Sequence, residues 1–137
     1  MKKALSAILS IVMLFSLAVG IDFSAYAETS GDYEYEILDD GTVEINKYNG
    51  TASSVSVPST VDGKKVTKIG SWAFFDCNSL TSVTIPNGVT SIEESAFSNC
   101  TSLTGITIPN SVTRIGGWVF YHCTSLKNIN IPENKKS

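Results

Sequence analysis

Apolar residues recur along this chain at a constant interval of 23 residues. Each recurrence includes an Ile-Pro pair, and the same interval separates three leucines, three phenylalanines and three cysteines. The residues that recur in this way are Leu80, Leu103 and Leu126; Phe74, Phe97 and Phe120; and Cys77, Cys100 and Cys123. Because several residue types keep one spacing, the pattern indicates an array of repeated structural units with these side chains in its core.

Two complete units span residues 85–107 and 108–130, a longer first unit spans 57–84, and a partial unit occupies 131–132. Apolar residues that alternate with small polar ones, up to the Ile-Pro pair, predict a short strand in each unit. Further along, apolar residues three and four apart predict a short helical turn. A unit of this length cannot bury its own apolar side chains, so we expect the units to stack around a continuous apolar column.

An alternating pattern of a different kind precedes the repeats. Every second residue is apolar or aromatic from Tyr33 to Ile37 and again from Val43 to Ile45, on either side of an Asp-Asp-Gly turn sequence. This arrangement predicts a β-hairpin. We expect it to act as an N-terminal cap within residues 28–56, because a bare terminal repeat would expose its core.

Residues 1–27 have the pattern of a signal peptide. Lys2 and Lys3 precede a long apolar run, and Ala25-Tyr26-Ala27 matches the small-x-small pattern of a cleavage site. A retained membrane anchor is the competing interpretation, since the run is near the lower length limit for a membrane span. We expect cleavage after Ala27, which predicts a secreted protein without membrane insertion.

The C-terminal end has no predicted cap of comparable size. Residues 133–137 form a short polar tail that cannot complete the unit begun at 131–132. Three interpretations stay open: the tail is a minimal cap, the chain is a fragment of a longer array, or the open repeat edge pairs with another molecule. The third interpretation predicts self-association.

Composition and charge exclude some classes of protein. Hydrophobic residues make up 42% and charged residues 17% of the chain, which excludes a disordered composition. After removal of residues 1–27, the chain carries 12 acidic and 8 basic residues, so nucleic acid is not an expected partner. Seven of the acids lie between Glu28 and Glu44. A solvated edge explains them, because a calcium-binding loop pattern is missing.

Candidate catalytic groups are few. The spacing of the cysteines does not resemble that of zinc ligands, and inward-facing cysteines act as small hydrophobic residues. His122 precedes Cys123, which raises the hypothesis of a Cys-His pair, but neighbours on a turn rarely face each other. The sequence also lacks serine-hydrolase, metalloprotease and phosphate-loop motifs. We therefore expect no enzyme activity, no cofactor, no metal and no disulfide.

The complete units share a consensus that is more specific than their spacing. It is Ile-Pro-x-x-Val-Thr-x-Ile-x-x-x-Ala-Phe-x-x-Cys-x-Ser-Leu, with Val119 where Ala96 stands in the preceding unit. This string resembles the BspA-type leucine-rich repeats of secreted and surface proteins, over residues 57–132. The resemblance implies a leucine-rich repeat solenoid with short strands on the concave face and short helical turns on the convex side. It also implies adhesion or host-protein binding, the role of some members.

Two surfaces of such a solenoid are candidate binding sites. Polar side chains between the apolar strand positions would form an uncharged concave face: Ser82, Thr84, Gly105, Thr107, Asn128 and Asn130. Aromatic residues three apart would form two pairs on the outward flank, separated by serines in the middle unit: Trp72 with Phe75, and Trp118 with Tyr121. Solvated sheet and ordinary core shielding are the structural alternatives for these two sets.

These observations predict a secreted or cell-surface binding module with a role in protein–protein interaction or in adhesion to host or matrix proteins. The expected partner is a protein or a glycan. Two alternatives stay open: a structural fragment of a larger repeat array, and a carbohydrate-binding accessory domain that uses Trp72 and Trp118.

Overall fold

The computed structural model describes residues 28–132, so the predicted signal peptide (1–27) and polar tail (133–137) lie outside the described residues. Residues 28–132 contain eleven strands. They are β1 (Glu28–Ser30), β2 (Tyr33–Ile37), β3 (Val43–Tyr48), β4 (Ser54–Ser56), β5 (Thr60–Val61), β6 (Lys64–Ile69), β7 (Ser82–Thr84), β8 (Ser91–Ile92), β9 (Gly105–Thr107), β10 (Arg114–Ile115) and β11 (Asn128–Asn130).

The repeats stack as a β-solenoid, as predicted. One sheet consists of four parallel strands in the order β11-β9-β7-β4, and the other runs β1-β2-β3-β6-β8-β10 with β5 paired to β6. In the first sheet Ser82 pairs with Gly105 and Gly105 with Asn128, so each residue lies beside its equivalent in the next unit. Every complete turn of the solenoid therefore places one strand in each sheet.

The predicted N-terminal hairpin is confirmed. Strands β2 and β3 pair in antiparallel fashion, and β1 pairs with β2 in the same way. Strand β3 also pairs in parallel with β6, and β4 pairs in parallel with β7. The hairpin thus continues the stack of strands directly, and both β3 and β4 lie at the level of a first solenoid turn.

The third side of each unit consists of tight turns, where the sequence predicts short helical turns. In the first unit the amide of Phe75 donates to the carbonyl of Trp72 at 3.0 Å, and the amide of Cys77 donates to the carbonyl of Phe74 at 3.4 Å. Trp72 and Asp76 have positive φ angles of 62° and 60°, which interrupt helical repetition. Within residues 28–132 no segment is an α-helix, and no helix could span a membrane.

Hydrogen bonds also join neighbouring units along this side. The amide of Phe74 donates to the carbonyl of Ala96 at 2.7 Å, and the amide of Phe97 donates to that of Val119 at 3.0 Å. The amide of Tyr48 donates to the carbonyl of Ala73 at 2.8 Å, and this bond joins the hairpin to the first unit. All three sides of the solenoid are therefore held by backbone bonds between equivalent positions.

An aromatic ladder runs through the core along the direction of stacking. The rings of Tyr48 and Phe74 lie 5.1 Å apart, those of Phe74 and Phe97 lie 4.9 Å apart, and those of Phe97 and Phe120 lie 6.1 Å apart. The hairpin thereby supplies the first ring of a ladder that three repeats continue. Tyr33 extends it outward, with its ring 5.2 Å from that of Tyr48.

Burial of the repeated core positions follows their place in the stack. The residues at the centre are fully or almost fully buried: Phe74, Phe97, Leu80, Leu103 and Cys100. Their equivalents in the last unit, Phe120, Cys123 and Leu126, are partly buried, and Cys77 of the first unit is partly buried as well. Ile115 and Ile129 are exposed, because β10 and β11 lie at the sheet edges of the described residues.

Replacement of Phe97 by alanine should lower the free energy of unfolding by about 3–5 kcal/mol, because it removes the middle ring of the ladder and leaves a cavity. Phe75 is the matched control, since it is exposed and lies only one position from the ladder residue Phe74. We expect Phe75→Ala to cost less than about 1 kcal/mol in urea denaturation. Equal losses in the two variants would contradict the ladder as the main core element, and Phe97→Leu provides a milder variant if Phe97→Ala does not fold.

Candidate ligand-binding cleft

The aromatic flank is built on three equivalent positions of successive turns. They are occupied by Trp72, Ser95 and Trp118. The amide of Trp72 donates to the carbonyl of Glu94 at 3.2 Å, and the amide of Ser95 donates to that of Gly117 at 3.0 Å. The two tryptophans therefore lie on turns that are two levels apart in the stack, with the turn that carries Ser95 between them.

The backbone at these positions is left-handed. The φ angles are 62° at Trp72, 57° at Ser95 and 54° at Trp118. Such angles suit glycine or asparagine, whereas a bulky side chain pays a conformational cost of about 1–3 kcal/mol. Two tryptophans in this conformation are difficult to explain by local stability alone.

The tryptophan side chains are also largely in solvent. Trp72 is 51% exposed and Trp118 is 69% exposed, while Phe75 and Tyr121 are exposed as well. The rings of Trp72 and Phe75 meet edge to face, with centroids 5.1 Å apart, as expected for a pair three residues apart. The ring of Tyr121 lies 5.8 Å from that of His122.

A cleft of about 580 Å³ lies between these aromatic residues. Trp72 and Phe75 line one side, and Trp118 and Tyr121 line the other. Three residues of the middle unit complete the lining: Ser95, which is 2% exposed, Ser98, which is 3% exposed, and Asn99. The structure thus brings all four predicted aromatic residues around one recess. The small, buried serines form its floor.

Two polar side chains that line the cleft, those of Ser98 and Asn99, form hydrogen bonds within the protein. The Ser98 hydroxyl donates to the carbonyl of Tyr121 at 3.4 Å. Asn99, which also lines the cleft, donates through its side-chain amide to Asp76 at 2.6 Å, and its side-chain oxygen lies 3.0 Å from Nδ1 of His122. No side chain in the lining carries a charge. The recess therefore presents mainly aromatic ring surfaces, together with the indole N–H groups of Trp72 and Trp118 and the hydroxyls of Ser95 and Tyr121.

The residues Asp76, Asn99 and His122 form a hydrogen-bonded row across three units. Their φ angles are 60°, 63° and 59°. Aspartate, asparagine and histidine are the side chains that best tolerate the left-handed region, so this residue choice is a sequence signal for the turn. His122 has a structural partner in this row. The Cys123 thiol donates to the carbonyl of Phe97 at 3.0 Å, so the structure gives no support to a Cys-His nucleophile pair.

The three cysteines are free and differ in their surroundings. The Cys100 thiol is buried and donates to the carbonyl of Phe74 at 3.0 Å. A hydrogen bond with the Cys77 side chain, and then burial, raise the pKa of Cys100. The same hydrogen bond lowers the pKa of Cys77, whereas burial raises the pKa of Cys123. The thiols therefore occupy core positions, and those of Cys100 and Cys123 donate hydrogen bonds to backbone carbonyls.

The second predicted surface lies on the four-stranded sheet. Ser82 and Thr84 are exposed on β7. Gly105, half-buried, and Thr107, exposed, follow on β9, and Asn128 and Asn130 are exposed on β11. Thr84 pairs with Thr107 and Thr107 with Asn130, so the set forms one continuous polar face. It is separate from the aromatic cleft, which lies on the side formed by turns.

The acidic N-terminal segment does not assemble a metal site. Across the described range, no group of three or more histidine, cysteine or acidic side chains is placed to hold a metal ion. Glu28 and Asp62 instead lie around the buried Tyr35 hydroxyl, at 2.8 Å and 2.5 Å. Burial, together with these hydrogen bonds, raises the pKa of Tyr35.

Comparison with known proteins identifies the repeat. A family model described as "BspA type Leucine rich repeat region" matches residues 44–137 in six copies. Comparison with curated proteins gave no significant match. The matched range begins within β3, which agrees with the parallel pairing of β3 with β6.

Two similar solved structures, with TM-scores above 0.5, have the same fold. A leucine-rich repeat protein from Bacteroides capillosus is 25% identical, with a TM-score of 0.57, over 77% of this chain and 98% of that one. One from T. pallidum is 24% identical, with a TM-score of 0.55, over 78% and 72%. A leucine rich cell surface protein from Faecalibacterium prausnitzii is 26% identical, with a TM-score of 0.44, over 78% of this chain and 43% of that protein.

Replacement of Trp118 by asparagine should raise the free energy of unfolding by about 0.5–1 kcal/mol, because asparagine relieves the left-handed conformation and little packing is lost. Tyr121→Asn is the matched control, since Tyr121 is also exposed but its φ angle is not positive. We expect no gain in the control. A loss of stability in Trp118→Asn, measured by thermal denaturation, would show that this tryptophan serves packing.

The thiols should react with iodoacetamide in a fixed order. Cys77 reacts first because its pKa is lowered and it is only partly buried, Cys123 reacts more slowly, and buried Cys100 reacts last. Peptide mass spectrometry after timed labelling measures the order. Labelling in denaturant is the control and should remove the differences, whereas early modification of native Cys100 would contradict the core position of its thiol.

Proposed function

This chain belongs to the BspA-type leucine-rich repeat family, and we propose that it is an exported binding module that recognises an extracellular protein through its aromatic cleft. One observation carries the proposal: two exposed tryptophans in costly left-handed conformations line one recess with a serine floor. Function is a better reason than stability for keeping such residues, since strained positions cluster at ligand sites.

The solenoid suits this role because it holds the site rigid. Backbone hydrogen bonds fix Trp72, Ser95 and Trp118 relative to one another through the stacked turns. A preformed site loses little conformational entropy on binding. Tryptophan and tyrosine are the side chains that most often dominate binding energy at protein interfaces. Binding through these walls therefore requires no rearrangement of the scaffold.

Export and display outside the cell are part of the proposal. The signal-peptide pattern of residues 1–27 supports them. Leucine-rich repeats of this family are typically non-catalytic binding modules, and nothing in the cleft suggests chemistry. Its lining consists of aromatic rings, serine hydroxyls and an asparagine amide.

Two other functions have some support. A purely structural array fragment is favoured by the exposed Ile129 on the sheet edge at β11, where self-association stays a prediction. A carbohydrate-binding role is favoured by Trp72 and Trp118 as stacking platforms. Binding to a protein accounts better for the lining, because aromatic rings form most of it and aromatic side chains dominate the binding energy at protein interfaces.

Saturable binding to immobilised fibronectin, laminin or collagen tests the proposed function. We expect at least one to be bound by the purified mature protein, and the double variant Trp72→Asn, Trp118→Asn to weaken that binding by about tenfold or more. Binding should survive moderate salt, because the cleft is lined by uncharged residues.

The matched control is Thr84→Ala with Thr107→Ala, which alters the polar sheet and leaves the cleft intact. Unchanged binding in this control, together with loss in the tryptophan variant, would locate the interaction. Loss in the threonine variant alone would transfer the site to the sheet. Absence of binding across the matrix-protein panel would count against adhesion.

A further inference from the structure

We infer that Cys77 and Cys100 form a redox site, at which a low-molecular-weight disulfide oxidises the two thiols to a disulfide bond between the first unit and the second. An oxidising environment, such as the one outside the cell, supplies oxidants of this class. The three cysteines are free in the structure, and the inference concerns their oxidation. It does not rest on the proposed function, because neither thiol lines the aromatic cleft.

Hydrogen bonds on both sides of the two cysteines hold their turns together. Directly before them, the side-chain amide of Asn99 donates to the Asp76 carboxylate at 2.6 Å, and the amide of Asp76 donates to the carbonyl of Ser98 at 3.1 Å. Directly after them, the Thr101 hydroxyl donates to the side-chain oxygen of Asn78 at 2.9 Å. Backbones that are hydrogen-bonded side by side lie about 4.7–4.9 Å apart, within the Cα separation of about 4.4–6.8 Å that a disulfide requires.

The core rings distinguish this pair from the other neighbouring thiols, those of Cys100 and Cys123. Each ring of the aromatic ladder lies three residues before a cysteine. The rings of Phe74 and Phe97 are 4.9 Å apart, whereas those of Phe97 and Phe120 are 6.1 Å apart. The first and second units therefore approach each other more closely beside their cysteines than the second and third units do.

The surroundings of the thiols favour the same pair. Sγ of Cys77 lies 3.9 Å from the carbonyl oxygen of Phe75, which is a weak contact, so little holds this thiol in place. A hydrogen bond between the side chains of Cys77 and Cys100 lowers the pKa of Cys77 and raises that of Cys100. The Cys123 thiol instead donates to the carbonyl of Phe97 at 3.0 Å. The 23-residue spacing gives no indication of these contacts, which is why the sequence alone predicts no disulfide.

Cys77 is the thiol that begins the reaction. It is only partly buried, and its lowered pKa increases the fraction of thiolate, which is the nucleophile in disulfide exchange. After its proton has passed to water, the Cys77 thiolate attacks one sulfur of oxidised glutathione and releases one molecule of reduced glutathione. The Cys100 thiol then loses its proton and attacks the Cys77 sulfur, which breaks the mixed disulfide and releases the second molecule. Two protein thiols are oxidised, and one glutathione disulfide is reduced.

The second step is the slower one. The Cys100 thiol is buried and must leave its hydrogen bond to the carbonyl of Phe74, which is 3.0 Å long. Its raised pKa also decreases the fraction of thiolate. We therefore expect a mixed disulfide at Cys77 to appear before the bond between Cys77 and Cys100.

Oxidation of the folded, reduced protein with oxidised glutathione tests the inference. The free thiols, counted in denaturant with Ellman's reagent, should fall from the three that the structure shows to about a third of that value. Peptide mass mapping without reductant should find the bond between Cys77 and Cys100. The melting temperature should rise by about 5 °C or more, because the bond constrains the unfolded chain, and dithiothreitol should reverse the rise.

Cys123→Ser is the matched control, because it changes the equivalent position of the next unit and should leave the bond between Cys77 and Cys100 intact. Cys100→Ser should stop the reaction at the mixed disulfide on Cys77. If Cys100→Ser does not fold by circular dichroism, mass mapping of the unaltered protein still decides which cysteines are joined.

Several results would overturn the inference. Oxidation that leaves all thiols free, or that ends at the mixed disulfide, would show that the two sulfur atoms cannot meet in the folded protein. A bond that includes Cys123, or one between two chains, would show that the stack selects a different pair. A melting temperature that falls after the bond has formed would show that the native stack does not accommodate it. None of these results bears on binding through the cleft, so failure of the proposed function is measured separately.

Discussion

The in-phase pairing of each turn with the next is the constraint on which the whole structure depends. Parallel strands place every residue beside its equivalent one unit later, as Thr84, Thr107 and Asn130 illustrate. The turns on the third side repeat the arrangement with backbone bonds of their own. Because side chains alternate between the two faces of a strand, a slip of one residue would turn apolar groups outward and polar groups inward. The apolar column and the register therefore hold each other in place.

Because equivalent residues lie side by side, a difference between units at one position changes the shape of the surface there. Where three units carry similar residues, ladders form, such as the buried phenylalanine rings and the row of Asp76, Asn99 and His122. Where the middle unit carries a smaller residue than its neighbours, a recess forms. Ser95 and Ser98 are two such substitutions, and together they produce the cleft. The core depends on what the units share, while the candidate site depends on how they differ.

Sequence reasoning succeeded where a residue's role follows from spacing. The 23-residue period predicted the solenoid, and alternation around an Asp-Asp-Gly turn predicted the hairpin. Repeat alignment also placed serines between two pairs of aromatic residues, and the structure puts all of these around one recess. The structure has tight turns in place of the predicted helical turns, because the backbone is left-handed at Trp72 and Asp76. A tryptophan in the sequence gives no indication of a left-handed backbone. Aspartate, asparagine and histidine at the second position were the available signal for them.

The spacing of residues along the sequence could not predict how deeply each side chain is buried or which hydrogen bonds it forms. Ser95 is buried although serine is usually a surface residue, because the tryptophans above and below it extend past its short side chain. The left-handed tryptophans persist because each unit is tied to its neighbours on three sides, so the surrounding structure outweighs a local cost of about 1–3 kcal/mol. A loop could relieve that strain by moving, but a stacked turn cannot. The same rigidity that allows the strain also holds the two aromatic walls of the cleft on turns that are two levels apart.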